Sequence, residues 1–400
     1  MSAILGYVTP VRAYTSAGDI YMQAASGRVA EALAGHFEKV CICARVVHEE
    51  PAAPFDFPLR ARNLELIEQP WWRTTAGSLP RVVGFIRAYV KTCRRADVLF
   101  VRGMCPYTPL LYLCAWAFGK PICHWIVGDP VALLRTGNRS GFLRDAFALL
   151  YAVQDRCFTR LGRWLADGAL LCNGRELARA YASPRTVEIV SSTINEAEFH
   201  PRIDTCGGPV VRVLFVGFVR PEKGIEYLLE ALSQLPTAVP WELEIVGPRD
   251  FPEYARKLDA VALRLGIADR VRWSGYLPNG APLFERMRAA DLFVLPTLSE
   301  GTPHVLVEAR ANGLPCISTS VGGVPTTVTN EYDALLVPPK NARALARAIE
   351  RVIGDAALRR RLIRNGLLAA RQQTLDRFVQ AVMAELHAKL PAERSAVPQE

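Results

Sequence analysis

Two carboxylates and two cations mark the chemistry within reach of this chain. Glu300 and Glu308 are separated by seven residues in Asp291-Leu-Phe-Val-Leu-Pro-Thr-Leu-Ser-Glu300-Gly301-Thr302-Pro303-His304-Val-Leu-Val-Glu308-Ala-Arg. Arg220 and Lys223 lie three residues apart in Gly217-Phe-Val-Arg220-Pro-Glu-Lys223-Gly224. A forked guanidinium and a compact ammonium both suit phosphate oxygens, and together they can neutralise the charge that builds on a departing nucleoside diphosphate. Carboxylates accept hydrogen bonds from vicinal hydroxyls. A diphosphate flanked by two polyols is a nucleotide sugar, so the four side chains point to sugar-nucleotide chemistry. Each pair alone also reads as ordinary solvated charge, and it is their combination that carries the reading.

These side chains need particular elements to position them. The run Leu292 to Leu295 reads as a buried parallel strand, Gly301 and Pro303 punctuate a turn, and Pro303 suits the first helical position. Glu300 then sits just before a helix N-terminus and Glu308 about one and a half turns inside it. Free amides and the positive dipole end at such a junction hold phosphate. The loop from Gly217 follows another apolar strand, Val210 to Gly217. Ligands in open α/β sheets sit at the carboxyl ends of the strands, so both loops are expected to face one crevice.

Two similar halves emerge, each alternating short apolar runs with amphipathic stretches, which implies an α/β fold with parallel sheets covered by helices. In the first half, strands are expected at Ala3 to Val8, Val40 to Val46, Val98 to Val101, Pro121 to Val127 and Gly168 to Cys172, with a turn from Thr9 to Asp19. In the second, further strands are expected at Leu243 to Val246, Val271 to Ser274 and Cys316 to Ser318. Asn195 to Pro209 is polar, rich in Pro and Gly, and reads as the linker. The expected domains are residues 1–200, residues 201–375, and a C-terminal helix over 376–400 that packs back on the first domain and ends in a frayed tail.

With 400 residues, half of them apolar, the chain can bury a large core. Its longest apolar run, Pro109 to Phe118, is far shorter than the roughly 20 residues of a membrane-spanning helix. The first residues lack the charged and apolar regions of a signal peptide, which gives a cytoplasmic expectation. Ten scattered cysteines without Cys-x-x-Cys read as reduced, buried thiols. The net charge of +9 is concentrated between Pro51 and Arg163, where 16 Lys and Arg face 7 Asp and Glu. Such a segment attracts an anionic membrane surface, a phosphorylated substrate or nucleic acid, or is simply a solvated face.

From Val211 to Pro339 the motifs Arg-x-x-Lys-Gly, Glu300-Gly-Thr-Pro to Glu308-Ala, and Gly322-Gly323-Val-Pro325 resemble those of the family 4 glycosyltransferases. The resemblance implies the GT-B fold, two Rossmann-like domains with parallel sheets facing a central cleft, and sugar transfer with retention at the anomeric carbon. It implies that Arg220 and Lys223 bind the donor diphosphate, Glu300 the hydroxyls of the transferred sugar and Glu308 the ribose, while amides near Thr302 to His304 meet phosphate. It implies no metal and no cofactor beyond the nucleotide diphosphate sugar, and the chain contains no Asp-x-Asp. In the first half, Ser16-Ala17-Gly18-Asp19 is similar to a remnant of the family's glycine loop, so Gly18 is expected to approach the donor. Asp129 occupies the place where many members have His-Asp and is expected to face the cleft. His124, four residues before Gly128, reads as a packed core histidine rather than a base. A front-face mechanism, in which the leaving phosphate takes the acceptor proton, needs no base.

The leading expectation is therefore a retaining hexosyltransferase acting on a glycan or polyprenyl-linked acceptor in cell-surface polysaccharide synthesis, peripheral at the inner face of the membrane. A nucleotide-sugar epimerase shares the architecture and differs only in the fate of the sugar. A basic nucleic-acid-binding protein is the third class, and the chain shows no helix-turn-helix, zinc spacing or ribonucleoprotein signature for it.

Overall fold

The computed structural model describes residues 2–71, 79–128, 142–183 and 185–390. The chain divides into two compact units, Met1–Ile189 together with Asp376–Glu400, and Val190–Leu375.

The first unit runs β1 (Ile4–Ser16), β2 (Asp19–Met22), α1 (Ala24–Ala34), β3 (Lys39–Val47), β4 (Phe57–Leu59), β5 (Leu64–Gln69), α2 (Val82–Arg95), β6 (Val98–Arg102), α3 (Thr108–Ala117), β7 (Ile122–Ile126), α4 (Phe142–Leu165), β8 (Ala169–Asn173), α5 (Arg175–Ala180) and β9 (Thr186–Ile189). Seven strands form a parallel layer in the order β5-β3-β1-β6-β7-β8-β9. Successive crossovers proceed one way from β1 and the other way from β6, so the direction of winding reverses between these two strands. Strands β6, β7 and β8 are buried from end to end, as continuous apolar runs between two helical layers must be.

The expected turn from Thr9 to Asp19 is strand instead. β1 pairs with β6 only up to Val8, shifts register between Val8 and Arg12, then forms a hairpin with β2 through Ala17-Gly18. Pro10 sits where the ladder is interrupted, so its missing N–H costs nothing, and a proline that reads as a strand stop marks a bulge.

The second unit runs β10 (Val211–Val216), α6 (Ile225–Ser233), β11 (Trp241–Val246), α7 (Pro252–Arg264), β12 (Val271–Gly275), α8 (Ala281–Ala289), β13 (Leu292–Leu295), α9 (His304–Ala311), β14 (Cys316–Thr319), α10 (Val324–Thr327), β15 (Leu335–Val337), α11 (Ala342–Gly354) and α12 (Ala356–Arg371). Its parallel order is β12-β11-β10-β13-β14-β15, with the reversal between β10 and β13. Helix starts are fixed by local chemistry: Asn341 and Asp355 accept from the amides of Ala344 and Leu358, each at 2.9 Å.

The polar segment read as a linker is packed into the second unit. Arg202 donates to the carbonyls of Arg288 and Ala290 at 3.0 and 2.8 Å, Asp291 accepts from the Cys206 amide, and Asp204 pairs with Arg359 at 2.6 Å. Polar side chains here satisfy backbone and partner charges, which hydropathy reads as exposure to water.

A final helix, α13 (Leu375–His387), leaves the second unit at its first residue and packs into the first, with the Phe378 ring 4.7 Å from that of Trp125. All ten cysteines are free thiols, most of them buried. Among the described residues no helix is long and apolar enough to cross a membrane.

Candidate functional site

The residues singled out in the second unit gather where its winding reverses, at the carboxyl ends of β10 and β13. The chain leaves β10 through Gly217, whose amide donates to Val246 O at 2.9 Å, and turns through Pro221–Lys223 into α6. Gly224 has φ +62° and a Cβ there would stand 2.4 Å from Pro296 O, so only glycine lets the two loops touch. The Leu298 amide and the Thr297 hydroxyl both donate to Glu222 O, at 2.8 and 3.1 Å. These bonds lock the Arg220–Lys223 turn to the loop that carries Glu300.

Lys223 and Glu300 meet directly. Nζ donates to both carboxylate oxygens at 2.7 and 2.8 Å, and each side chain is only 15% exposed. In this partly desolvated setting the pair is stronger than a surface salt bridge. The lysine keeps a third N–H, and each carboxylate oxygen keeps a lone pair. Behind Glu300 lies Gly322-Gly323: Cβ atoms at these positions would approach Glu300 O and Gly301 O to 2.0 and 2.1 Å. The two glycine loops and the acidic loop therefore pack backbone against backbone.

Pro303 is the N-cap of α9 rather than its first helical residue, with φ −77° and ψ 101°. Thr302 is buried beside it, and the His304 ring approaches Ser191 Oγ at 3.2 Å through Nε2. Glu308 lies one turn inside the helix and is 4% exposed. Its Oε1 accepts from the Thr193 hydroxyl and from Asn279 Nδ2, the latter at 2.8 Å. Arg220 stands apart from the ion pair, its guanidinium 4.5 Å from the Phe218 ring centroid and 5.2 Å from that of Phe251. Gly217, Lys223, Glu300, Gly301 and Thr302 thus share one loop cluster, with Glu308 held beneath it.

In the first unit Gly18 occupies the exposed hairpin turn at φ +91°, where an added Cβ would meet nothing within 4 Å. Asp129 lies outside the described residues. His124 is a buried core residue: Nε2 donates to Gly103 O at 2.8 Å and Nδ1 accepts from Tyr112 Oη at 3.0 Å. Burial pushes its pKa down to about 4.

Thr193, Ser191 and Asn279 escape sequence reasoning. Asn279-Gly280 signals only a turn, and a buried Ser-Ser-Thr run carries no spacing of its own. Arg310 is likewise missed: fully buried, it pairs with Asp333 and donates to Gln373 Oε1 at 2.6 Å, bracing α9 from behind.

Residues 208–368 match the family model described as Glycosyl transferases group 1. Among curated relatives, a D-inositol 3-phosphate glycosyltransferase of Jonesia denitrificans is 32% identical over 240 residues, covering 54% of this chain and 56% of the relative. The chain spans between 38% and 56% of the length of the first curated relatives it matches. Among solved structures, the sucrose-phosphate synthase of Thermosynechococcus elongatus superposes with a TM-score of 0.72 at 19% identity, covering 96% of this chain and 98% of that one. HepE of Anabaena, solved in complex with UDP-glucose, gives 0.67 at 16% identity, covering 96% and 100%. Likeness over nearly the whole chain at such identities shows the fold: α/β, of the GT-B kind, with two Rossmann-like units.

Proposed function

We propose that this chain is a retaining glycosyltransferase that moves a hexose from a nucleoside diphosphate sugar to a glycan or lipid-linked acceptor in cell-surface polysaccharide synthesis. The Lys223–Glu300 pair at the reversal point of the second unit's sheet carries this reading, because ligands of such sheets bind there. The family match over that unit supports it, as does the likeness to HepE of Anabaena, solved in complex with UDP-glucose.

In this reading the donor diphosphate lies along the Gly217–Lys223 turn. Lys223 gives its remaining N–H to a phosphate oxygen while its other two hold Glu300, so the carboxylate is fixed toward the sugar hydroxyls. Arg220, lifted by two aromatic rings, meets the outer phosphate oxygens as a fork. As the glycosidic bond to phosphate breaks, both cations stabilise the charge on the leaving group. The leaving phosphate takes the acceptor proton from the same face, which leaves the anomeric configuration unchanged. Glu308, oriented by Thr193 and Asn279, holds the ribose. No cofactor or metal takes part in these steps. The basic stretch between Arg60 and Arg163 draws the enzyme to anionic membrane surfaces, where a lipid-linked acceptor resides.

A panel of nucleotide sugars tests the proposal through release of nucleoside diphosphate. Wild-type protein should turn over one donor class, and Lys223→Ala and Glu300→Ala should each lower kcat by at least about a hundredfold, as for loss of a preorganised charge, with unchanged circular dichroism. Full turnover in both variants overturns the assignment.

A further inference from the structure

The outer face of α12, in the second unit, is basic and apolar at once. The helix carries five arginines and no acidic residue, so nothing along its own length offsets them. Leu358, Leu362 and Ala370 enter the unit's core, and Arg359 on that side pairs with Asp204 at 2.6 Å. Arg360, Arg361, Arg364, Leu368 and Arg371 follow at helical spacing on the opposite, exposed side. With Ile203 they line a groove of about 640 Å³. Ile203 is 84% exposed and Leu368 50%. The isoleucine is held out by its neighbours: Arg202 is tied to the carbonyls of Arg288 and Ala290, and Asp204 to Arg359.

Counter-charge is scarce on this face. Arg371 lies 3.6 Å from Glu196, and Arg361 lies 3.8 Å from Glu331, a carboxylate already engaged by Arg351 at 2.9 Å. Such exposed pairs are weak. Arg360 and Arg364 make no hydrogen bond or ion pair with any described residue. The face therefore offers guanidinium groups beside apolar side chains that are fixed in water. A second copy of this chain would set arginine against arginine across a two-fold axis. An acidic protein segment would have to desolvate these guanidinium groups and match each with a carboxylate. The headgroup layer of an anionic bilayer neutralises them while they stay hydrated, and it lets short apolar side chains reach the acyl boundary just below.

We propose that the face formed by Ile203 and α12 is a docking surface for an anionic phospholipid membrane. Arg360 and Arg364 meet headgroup phosphates, and Ile203 and Leu368 enter the acyl boundary. This contact is separate from the attraction assigned above to the basic stretch of the first unit, and it holds whether or not the chain transfers sugar.

Co-sedimentation of full-length protein with vesicles of mixed phosphatidylglycerol and phosphatidylcholine measures the contact. Wild-type protein should bind these vesicles at least about tenfold more tightly than vesicles of phosphatidylcholine alone. Arg360→Gln combined with Arg364→Gln should weaken binding at least about tenfold and flatten its dependence on salt. Ile203→Ser, which leaves the charge alone, should weaken it at least about threefold at every salt concentration. All three side chains are exposed, so thermal unfolding should match wild type. Either variant binding as tightly as wild type overturns the docking surface, and so does equal binding to both kinds of vesicle. Wild-type protein that ignores the vesicles but self-associates through Ile203, or binds polyglutamate through Arg364, gives the face to a second copy or to an acidic protein segment and likewise overturns the proposal.

Discussion

Two buried groups of the first unit titrate against each other. His124 has its pKa lowered by burial from 6.5 to about 4, so the folded state stays neutral while the unfolded chain takes a proton. Its contribution is complete above pH 6.5 and is lost as pH falls toward 4. Asp155 is the reverse case: burial raises it from 3.8 to about 6, so its contribution is complete below 3.8 and is lost as pH rises through 6. Each swing is worth about 3 kcal/mol at 1.36 kcal/mol per unit. They offset, and wild-type protein should show little change from these groups between pH 6 and 4. Urea unfolding should reveal His124→Gln gaining stability over that acid interval and Asp155→Asn losing it; parallel curves for all three proteins would contradict the account. The same residue scale shows what a sequence exposes. Lys223 and Glu300 were legible because glycine and proline bracket them at strand ends. Thr193, Asn279 and Arg310 were not, since a side chain that serves by hydrogen-bonding another side chain across the fold leaves no local pattern.

At the level of elements, the loops are positioned by backbone contact rather than by side chains. Gly323→Ala places a methyl group 2.1 Å from Gly301 O, so the acidic loop must shift. Such overpacking should cost about 1–3 kcal/mol of stability and, by displacing Glu300 from Lys223, lower kcat/KM at least about tenfold, in line with small misplacements of reacting groups. Thermal unfolding beside steady-state kinetics reads both effects, and unaltered kinetics would separate the Gly322-Gly323 loop from the site. The strands of the second unit were legible as apolar runs because parallel strands are buried on both faces. β1 was not, because Thr9-Pro10 looks like a stop until its neighbours are known: at that point the strand exchanges β6 for β2 and needs no donor from Pro10. The packed segment after Asn195 was hidden for a related reason, its polar groups being spent on carbonyls and on Arg359.

For the whole molecule, the instructive feature is α13. Phe378 against Trp125 makes the first unit depend on a helix that follows the second in sequence. Phe378→Ala should cost about 3–5 kcal/mol, seen as faster amide hydrogen exchange in Ile122–Ile126 while exchange in Val211–Val216 is unaffected; equal acceleration in both would show that the units do not unfold separately. During synthesis the order of completion is thereby inverted. Residues 190–375 emerge from the ribosome as an unbroken stretch and can close their own sheet at once, whereas the part begun first must wait, its Trp125 surface unsealed, until the ring of Phe378 clears the exit tunnel.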